Sequence, residues 1–238
     1  MSQDSSFPEH ADQLPQLLPP EANQHLVGHH EAIQSILSSQ DEGKLHHAWL
    51  IAGQKGIGKA TFAFDVARRL LSKTSGEPAE RVAQMVANGA HPNLKVIRRA
   101  FNHKTGKFAA NISVEVVRDA VSFFQTSAAG AGLRVCIVDS VDDMNANAAN
   151  ALLKTLEEPP ANTLFLLTIN RLGGTLPTIR SRCRLLKLSV LSTDDVLTVL
   201  QNNLQLPPDV DSNQILNMAR GRPRKAFEAI LAMENEIL

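Results

Sequence analysis

The chain has 238 residues, of which 43% are hydrophobic and 20% charged. That composition suits a globular protein with room for one large domain and a small second one. Its apolar runs fall short of the ~20 residues a membrane span needs, and its two cysteines, Cys136 and Cys183, imply neither a disulfide framework nor a zinc cluster. The zero net charge conceals an asymmetry. Residues 1–43 hold seven acids and no Lys or Arg, so the rest of the chain is basic, a weak pointer to nucleic acid. The first residues lack the pattern of a secretory signal or a transit peptide, so a cytoplasmic protein is expected.

Residues 1–23, rich in Pro, Gln, Ser and acids, read as a flexible or loosely docked arm. A helix of roughly fifteen residues is expected within 26–44, with Ile33, Ile36 and Leu37 on one face. "HAWLIAG" is then a short strand that runs into "GQKGIGKATFAFDVARRLL", a glycine-rich turn opening a helix. Gly53, Gly58 and Lys59 satisfy the spacing G-x-x-x-x-G-K in the strand–turn–helix setting of a phosphate-binding loop. Its glycines, Gly56 among them, let backbone N–H groups curl around phosphate oxygens, and the helix N-terminus adds its positive end. Lys59 is expected to reach the β- and γ-phosphates. The position after the lysine, where a hydroxyl would hold Mg²⁺, is Ala60. Thr61 is one place late, about 100° further round the helix.

Residues 76–99 predict a helix, a turn at His91, Pro92 and Asn93, and a strand, followed by a polar hairpin or loop over 100–112. His91 and His103 have no partners at metal-ligand spacing and read as structural or exposed. An amphipathic helix from Ser113 leads to "LRVCIVDS", a buried strand ending in Asp139. Phosphate-loop ATPases use such a strand-end carboxylate for Mg²⁺, with a neighbouring Glu to polarise water. Here the neighbour is Ser140. Ala60 and Ser140 thus depart from a competent hydrolase at two independent positions. Asp142 and Asp143 read as helix N-terminal acids.

A helix over 141–158 carries Met144, Ala148, Leu152 and Leu156 on its apolar face until Pro159 and Pro160 stop it. "TLFLLTIN" is a second buried strand, ending in Thr168 and Asn170. "LPTIRSRCRLLKL" places Arg180, Arg182 and Arg184 before a third apolar run. An arginine in that position is poorly placed for phosphate on its own loop and well placed to project toward a neighbouring subunit; a surface ion pair is the plainer alternative. From Ser192 the chain turns helical, with Ser192 or Thr193 as cap, a Pro-rich turn, and two further helices joined at Gly221. Arg224 opens the last of them and could lean over the phosphate site.

"NANAANALLKTLEEPPANTLFLLTIN" followed by "IRSRCR", together with "HAWLIAGQKGIGKATFA", resembles the delta-prime family of bacterial DNA polymerase III clamp-loader subunits, which are AAA+ proteins. The resemblance covers residues 25–235. It implies an α/β AAA+ domain over 24–186, with a parallel sheet flanked by helices, and a small helical lid over 187–238. It makes Arg182 of Ser-Arg-Cys a trans-acting catalytic arginine, puts Thr168 or Asn170 at the sensor-1 position, and identifies "GRPRKAF", with Arg224, as sensor 2. The nucleotide contacts are then expected among Gly53, Gly56, Gly58, Lys59, Thr61, Asp139, Thr168 and Arg224. Many relatives carry a four-ligand Cys/His zinc module, but residues 72–95 contain no cysteine, so no zinc is expected. Relatives also continue into a C-terminal collar domain, which this chain is expected to lack.

The resemblance implies a stator with a degenerate ATP site that supplies an arginine finger to a neighbouring ATPase. ATP or ADP remains possible as ligand, with Mg²⁺ only if nucleotide binds. The implied partners are the gamma/tau and delta subunits, and through the assembly the sliding clamp and primed DNA, with no membrane. Two rival readings stay open: a self-sufficient gamma-type ATPase using Lys59 and Asp139, and a nucleotide-independent DNA-binding module, whose affinity would fall with salt.

Overall fold

The computed structural model describes residues 10–14, 17–125, 132–174, 177–204 and 212–236. In chain order come α1 (His30–Asp41), β1 (Ala48–Ala52), α2 (Lys59–Ser75), α3 (Ala79–Ala87), β2 (Leu94–Ile97), β3 (Phe101–Asn102), β4 (Lys107–Phe108) and α4 (Val114–Gln125). There follow β5 (Arg134–Val138), α5 (Ala146–Glu157), β6 (Thr163–Ile169), α6 (Pro177–Arg180), β7 (Arg184–Lys187), α7 (Thr193–Asn203), α8 (Ser212–Ala219) and α9 (Pro223–Glu236). Among the described residues no helix is long and apolar enough to cross a membrane.

Five strands form one parallel sheet in the order β2-β5-β6-β1-β7. Strands β1, β5 and β6 are buried at every position, as runs covered on both faces must be. The two-residue period divides them. Trp49, Ile51, Val135, Ile137, Leu164 and Leu166 pack with α1, α2 and α3 on one face. Ala48, Leu50, Cys136, Val138, Phe165 and Leu167 pack with α4, α5 and α6 on the other. Each fully buried Leu, Ile or Phe contributes roughly 1.5–3 kcal/mol, so these two layers hold the sheet ends still. The expected α/β class is the observed one.

The region 100–112 is a small antiparallel hairpin, β3 against β4. The helix expected over 141–158 is divided. Residues Val141–Asp143 make a single 3₁₀ turn, Met144 is extended and bridges Ile112, and α5 begins only after Asn145. The reason is a cap: Asn145 Oδ1 accepts from the N–H of Ala148 at 2.8 Å, which fixes the helix start at Ala146 rather than at the expected residue 141. His91 is buried, and its Nδ1 accepts from the N–H of Asn93 at 3.1 Å, tying down the turn before β2.

Helices α7, α8 and α9 close around Val196, Leu200, Ile215, Phe227 and Ile230 as a third core. Ser192 caps α7, accepting from the N–H of Asp195 at 3.0 Å. The Pro-rich turn expected before α8 lies outside the described residues. Gly221 joins α8 to α9 with φ +71°, and a Cβ there would stand 2.5 Å from the carbonyl oxygen of Leu191. Only glycine satisfies both conditions.

Candidate nucleotide-phosphate site

β1 ends at Ala52 and the chain turns through residues 53–58 into α2. Gly53 donates its N–H to the carbonyl of Ile169 at 3.2 Å, and a Cβ on it would strike Ile57 and the carbonyl of Leu188. Gly56 and Gly58 take φ +89° and +95°, turning the loop so that α2 starts at Lys59 with its N–H groups free at the mouth. Lys59 is only 7% exposed. Its ammonium donates to the carbonyls of Gly53 and Gln54, at 2.9 and 2.8 Å, and to Asn170 Oδ1 at 2.7 Å. Burial draws its pKa down to about 8, against the charges of Asp139 and Asp142 and with help from Lys55.

The parallel strands deliver further groups at their C-terminal ends, where open α/β sheets bind ligands. Asp139, just past β5, accepts from Thr168 Oγ1 at 2.8 Å. Asn170, just past β6, gives its backbone N–H and its Nδ2 to Asp142 Oδ2 at 2.6 and 3.0 Å, and the N–H of Arg171 goes to Asp142 Oδ1 at 3.2 Å. Asp142 therefore clasps the end of β6 from the 3₁₀ turn and does not serve α5. Arg98 and Arg99 follow β2. Arg99 lies 3.5 Å from Asp143, whose carboxyl is raised above its ordinary value, chiefly by burial.

Helices α7–α9, the unit expected as a lid, rest on this loop through the start of α9. Arg224 donates its backbone N–H to the carbonyl of Gly56 at 3.2 Å, and a Cβ on Gly56 would lie 2.7 Å from the Cβ of Arg224. The Arg224 guanidinium bonds Glu228 at 2.9 Å and the carbonyl of Asp12. Between loop, lid and the segment from His10 lies a cavity of about 270 Å³, lined by Lys55, Lys59, Arg98, Arg99, Asp139 and Asn170 among others.

Arg182 stands elsewhere. Arg184 of β7 pairs in parallel with Trp49 near the start of β1 and stacks over its indole at 4.7 Å. Gly53 lies beyond the far end of β1, roughly 13 Å along the strand from that level at ~3.3 Å per residue. Arg182 precedes β7, so it sits at the end of the sheet opposite to its own phosphate loop. Its guanidinium is held on the surface by Glu157 at 2.6 Å and by the carbonyl of Thr178 at 2.9 Å.

The family described as "DNA polymerase III, delta subunit" matches residues 28–192, a span that takes in the loop, the three fully buried strands and Arg182. The chain belongs to this family. It is a clamp-loader protein of delta-prime type, similar to the DNA polymerase III subunit delta' of Pseudomonas aeruginosa (38% identical over 156 residues, 63% of this chain and 46% of that one). It is also similar to the subunit delta' of Escherichia coli (31% over 200 residues, 82% and 57%) and the subunit gamma of Buchnera aphidicola (30% over 190 residues, 78% and 50%). The chain thus spans about half the length of these relatives. Among solved structures it resembles a gamma subunit-related protein of Thermotoga maritima (TM-score 0.53, 20% identity, covering 82% of this chain and 56% of that one) and the RuvB branch migration motor of the same organism (0.56, 17%, 91% and 66%). Those likenesses support the AAA+ fold alone.

In this delta-prime-type protein, Gly56, Gly58, Lys59, Thr61, Asp139 and Arg224 all line the one cavity. Gly53 shapes the loop from beneath. Thr168 differs from the expectation: it is 0% exposed, and its hydroxyl is used to hold Asp139. It is Asn170 that reaches Lys59, so of the two sensor-1 candidates only Asn170 faces the site. Ala60 lines the cavity without an oxygen to offer. Sequence reasoning missed Lys55, Arg98 and Arg99, although a basic pair at the C-terminal end of a parallel strand was a readable signal. It also missed Asp12, for which no signal exists in the arm.

Proposed function

We propose that this delta-prime-type protein is a stator of the clamp loader, with a degenerate ATP site and an arginine finger given in trans. The position of Arg182 supports this most directly. It lies at the opposite end of the sheet from Lys59, partly exposed on an edge segment, where a neighbouring subunit's bound nucleotide could approach. Within the assembly it would work beside gamma/tau and delta subunits, in the cytoplasm, on the sliding clamp and primed DNA.

The chain's own loop suits phosphate. The N–H groups around Gly56 and Gly58, the start of α2, Lys59 and Arg224 form a cationic cradle that would hold the β- and γ-phosphates of ATP or ADP. It suits a metal poorly. Ala60 brings no hydroxyl, and Asp139 is already bonded to Thr168. Ser140, at the place of a water-polarising carboxylate, is buried. Nucleotide would therefore be held without being turned over.

The test is reconstitution with ATP-hydrolysing subunits. Arg182→Ala should leave the protein folded and assembled, and should slow hydrolysis at the single neighbouring site by on the order of 10³-fold. Undiminished ATPase activity of the assembly would overturn the trans role.

A further inference from the structure

The acidic N-terminal segment lies across the phosphate cradle. Asp12 Oδ2 is 3.0 Å from Lys55 Nζ of the loop, Asp12 Oδ1 is 3.4 Å from Arg99, and the Asp12 carbonyl accepts from Arg224 of the lid. Glu21 and His10 occupy Arg98. Buried Arg68 anchors the segment from below, donating to the carbonyls of Glu21 and Asn23 at 3.1 and 2.8 Å. Leu14 and Leu17 pack against the lid core. The segment thus bridges loop, strand ends and lid, the three parts a nucleotide would bridge. It does so with an anion set on the cradle's cations and an apolar portion against the lid.

We propose that residues 10–14 and 17–23 form an intramolecular counterpart of nucleotide: Asp12 neutralises the phosphate cradle while Leu14 and Leu17 hold the lid closed, so that arm docking and nucleotide binding exclude each other. Two acids of the acidic end, Asp12 and Glu21, thus meet cations of the basic body. Burial alone would raise the Asp12 carboxyl, but the hydrogen bond from Lys55 and the charges of Lys55, Arg224 and Arg99 hold it below its ordinary value. It is therefore an anion at neutral pH. The closed lid no longer needs nucleotide, as suits a subunit of fixed shape. This inference rests on the reading of the loop as a phosphate cradle and is independent of Arg182.

The experiment is a titration of the full chain with fluorescent N-methylanthraniloyl-ADP, comparing it with Asp12→Asn and with the double variant Leu14→Ser, Leu17→Ser. One change removes the charge, the other the apolar hold, and neither replaces a group of the phosphate cradle. Asp41→Asn, an exposed acid paired with Lys73 outside the cavity, is the control for net charge. Both arm variants should bind ADP roughly tenfold more tightly, the scale set by one charge facing phosphate at a half-buried site, and Asp41→Asn should not. In the parent chain, ADP should increase hydrogen exchange over residues 17–23. Equal or weaker binding by either arm variant, an equal gain in Asp41→Asn, or no ADP binding by any of them would overturn the proposal. None of these results bears on the trans ATPase assay of Arg182.

Discussion

Asn170 is held at both ends: its Oδ1 accepts from Lys59 Nζ at 2.7 Å while its Nδ2 donates to Asp142 at 3.0 Å. One amide thus joins the end of β6, the 3₁₀ turn after β5 and the loop lysine. Hydrogen bonds to charged groups contribute about 1.5–3 kcal/mol, so Asn170→Ala should lower stability by about 1–3 kcal/mol in chemical denaturation. Asp142→Ala should cost a similar amount. The double variant should cost clearly less than the sum, because both changes break one network. Strict additivity would show that the two bonds act separately.

The pH dependence of nucleotide binding follows from Lys59. Burial places its pKa at about 8 against an ordinary 10.5. Phosphate prefers the ammonium, so binding is unaffected well below 8 and must take up a proton above it. ADP affinity should therefore be flat from pH 6 to 7.5 and fall as pH rises past 8, by up to about tenfold per unit. Lys59→Gln should bind weakly with no such slope. A decline beginning only near 10.5 would contradict the desolvated lysine.

Two glycines of the loop should respond differently to alanine. Both have positive φ, which costs roughly 1–2 kcal/mol in a residue with a Cβ. At Gly58 nothing lies within 4 Å of the added methyl, whereas at Gly56 it meets the Cβ of Arg224 at 2.7 Å. Gly58→Ala should cost the backbone term alone. Gly56→Ala should cost more and should expose α9 to proteolysis, as the lid is pushed off the loop. Equal thermal shifts for the two would argue that the lid does not rest there.

The ion pair of Arg182 with Glu157 is partly exposed and belongs to the class that contributes about 0–1 kcal/mol. Glu157→Gln should leave the melting temperature within a degree or two. If Arg182 acts on a neighbour's phosphate, freeing it from Glu157 should raise the ATPase activity of the assembly, while Arg182→Ala lowers it. A fall in both variants would mean that Glu157 positions the arginine, since loss of restraint then costs activity.

The buried strands, the phosphate loop and the cap at Ser192 are legible in the chain because each is a local pattern: a period of two, a glycine spacing, a side chain reaching its own helix. The start of α5 lies at Ala146 and not at residue 141, because Met144 continues the apolar spacing while Asn145, a stronger signal, caps the helix after it. Thr168 and Asn170 were not separable from sequence. They stand two apart, Thr168 inside β6 and Asn170 just past its end, and only the position of the strand end decides that Thr168 is enclosed and Asn170 is at the mouth.

Residue order by itself determined the α/β class, the loop that turns on Gly56 and Gly58, and the missing hydroxyl at Ala60, since these depend on neighbours along the chain. Tertiary structure decided which charges meet. Asp12 against Lys55 and Arg99, Arg224 against Gly56, and Arg182 at the far end of the sheet from Lys59 are contacts or separations between segments distant in sequence. The places of Arg182 and Arg224 were expected from where they fall in the chain, but Coulomb and packing forces act through space, so the partners that Asp12, Arg182 and Arg224 meet leave no mark in the order of residues.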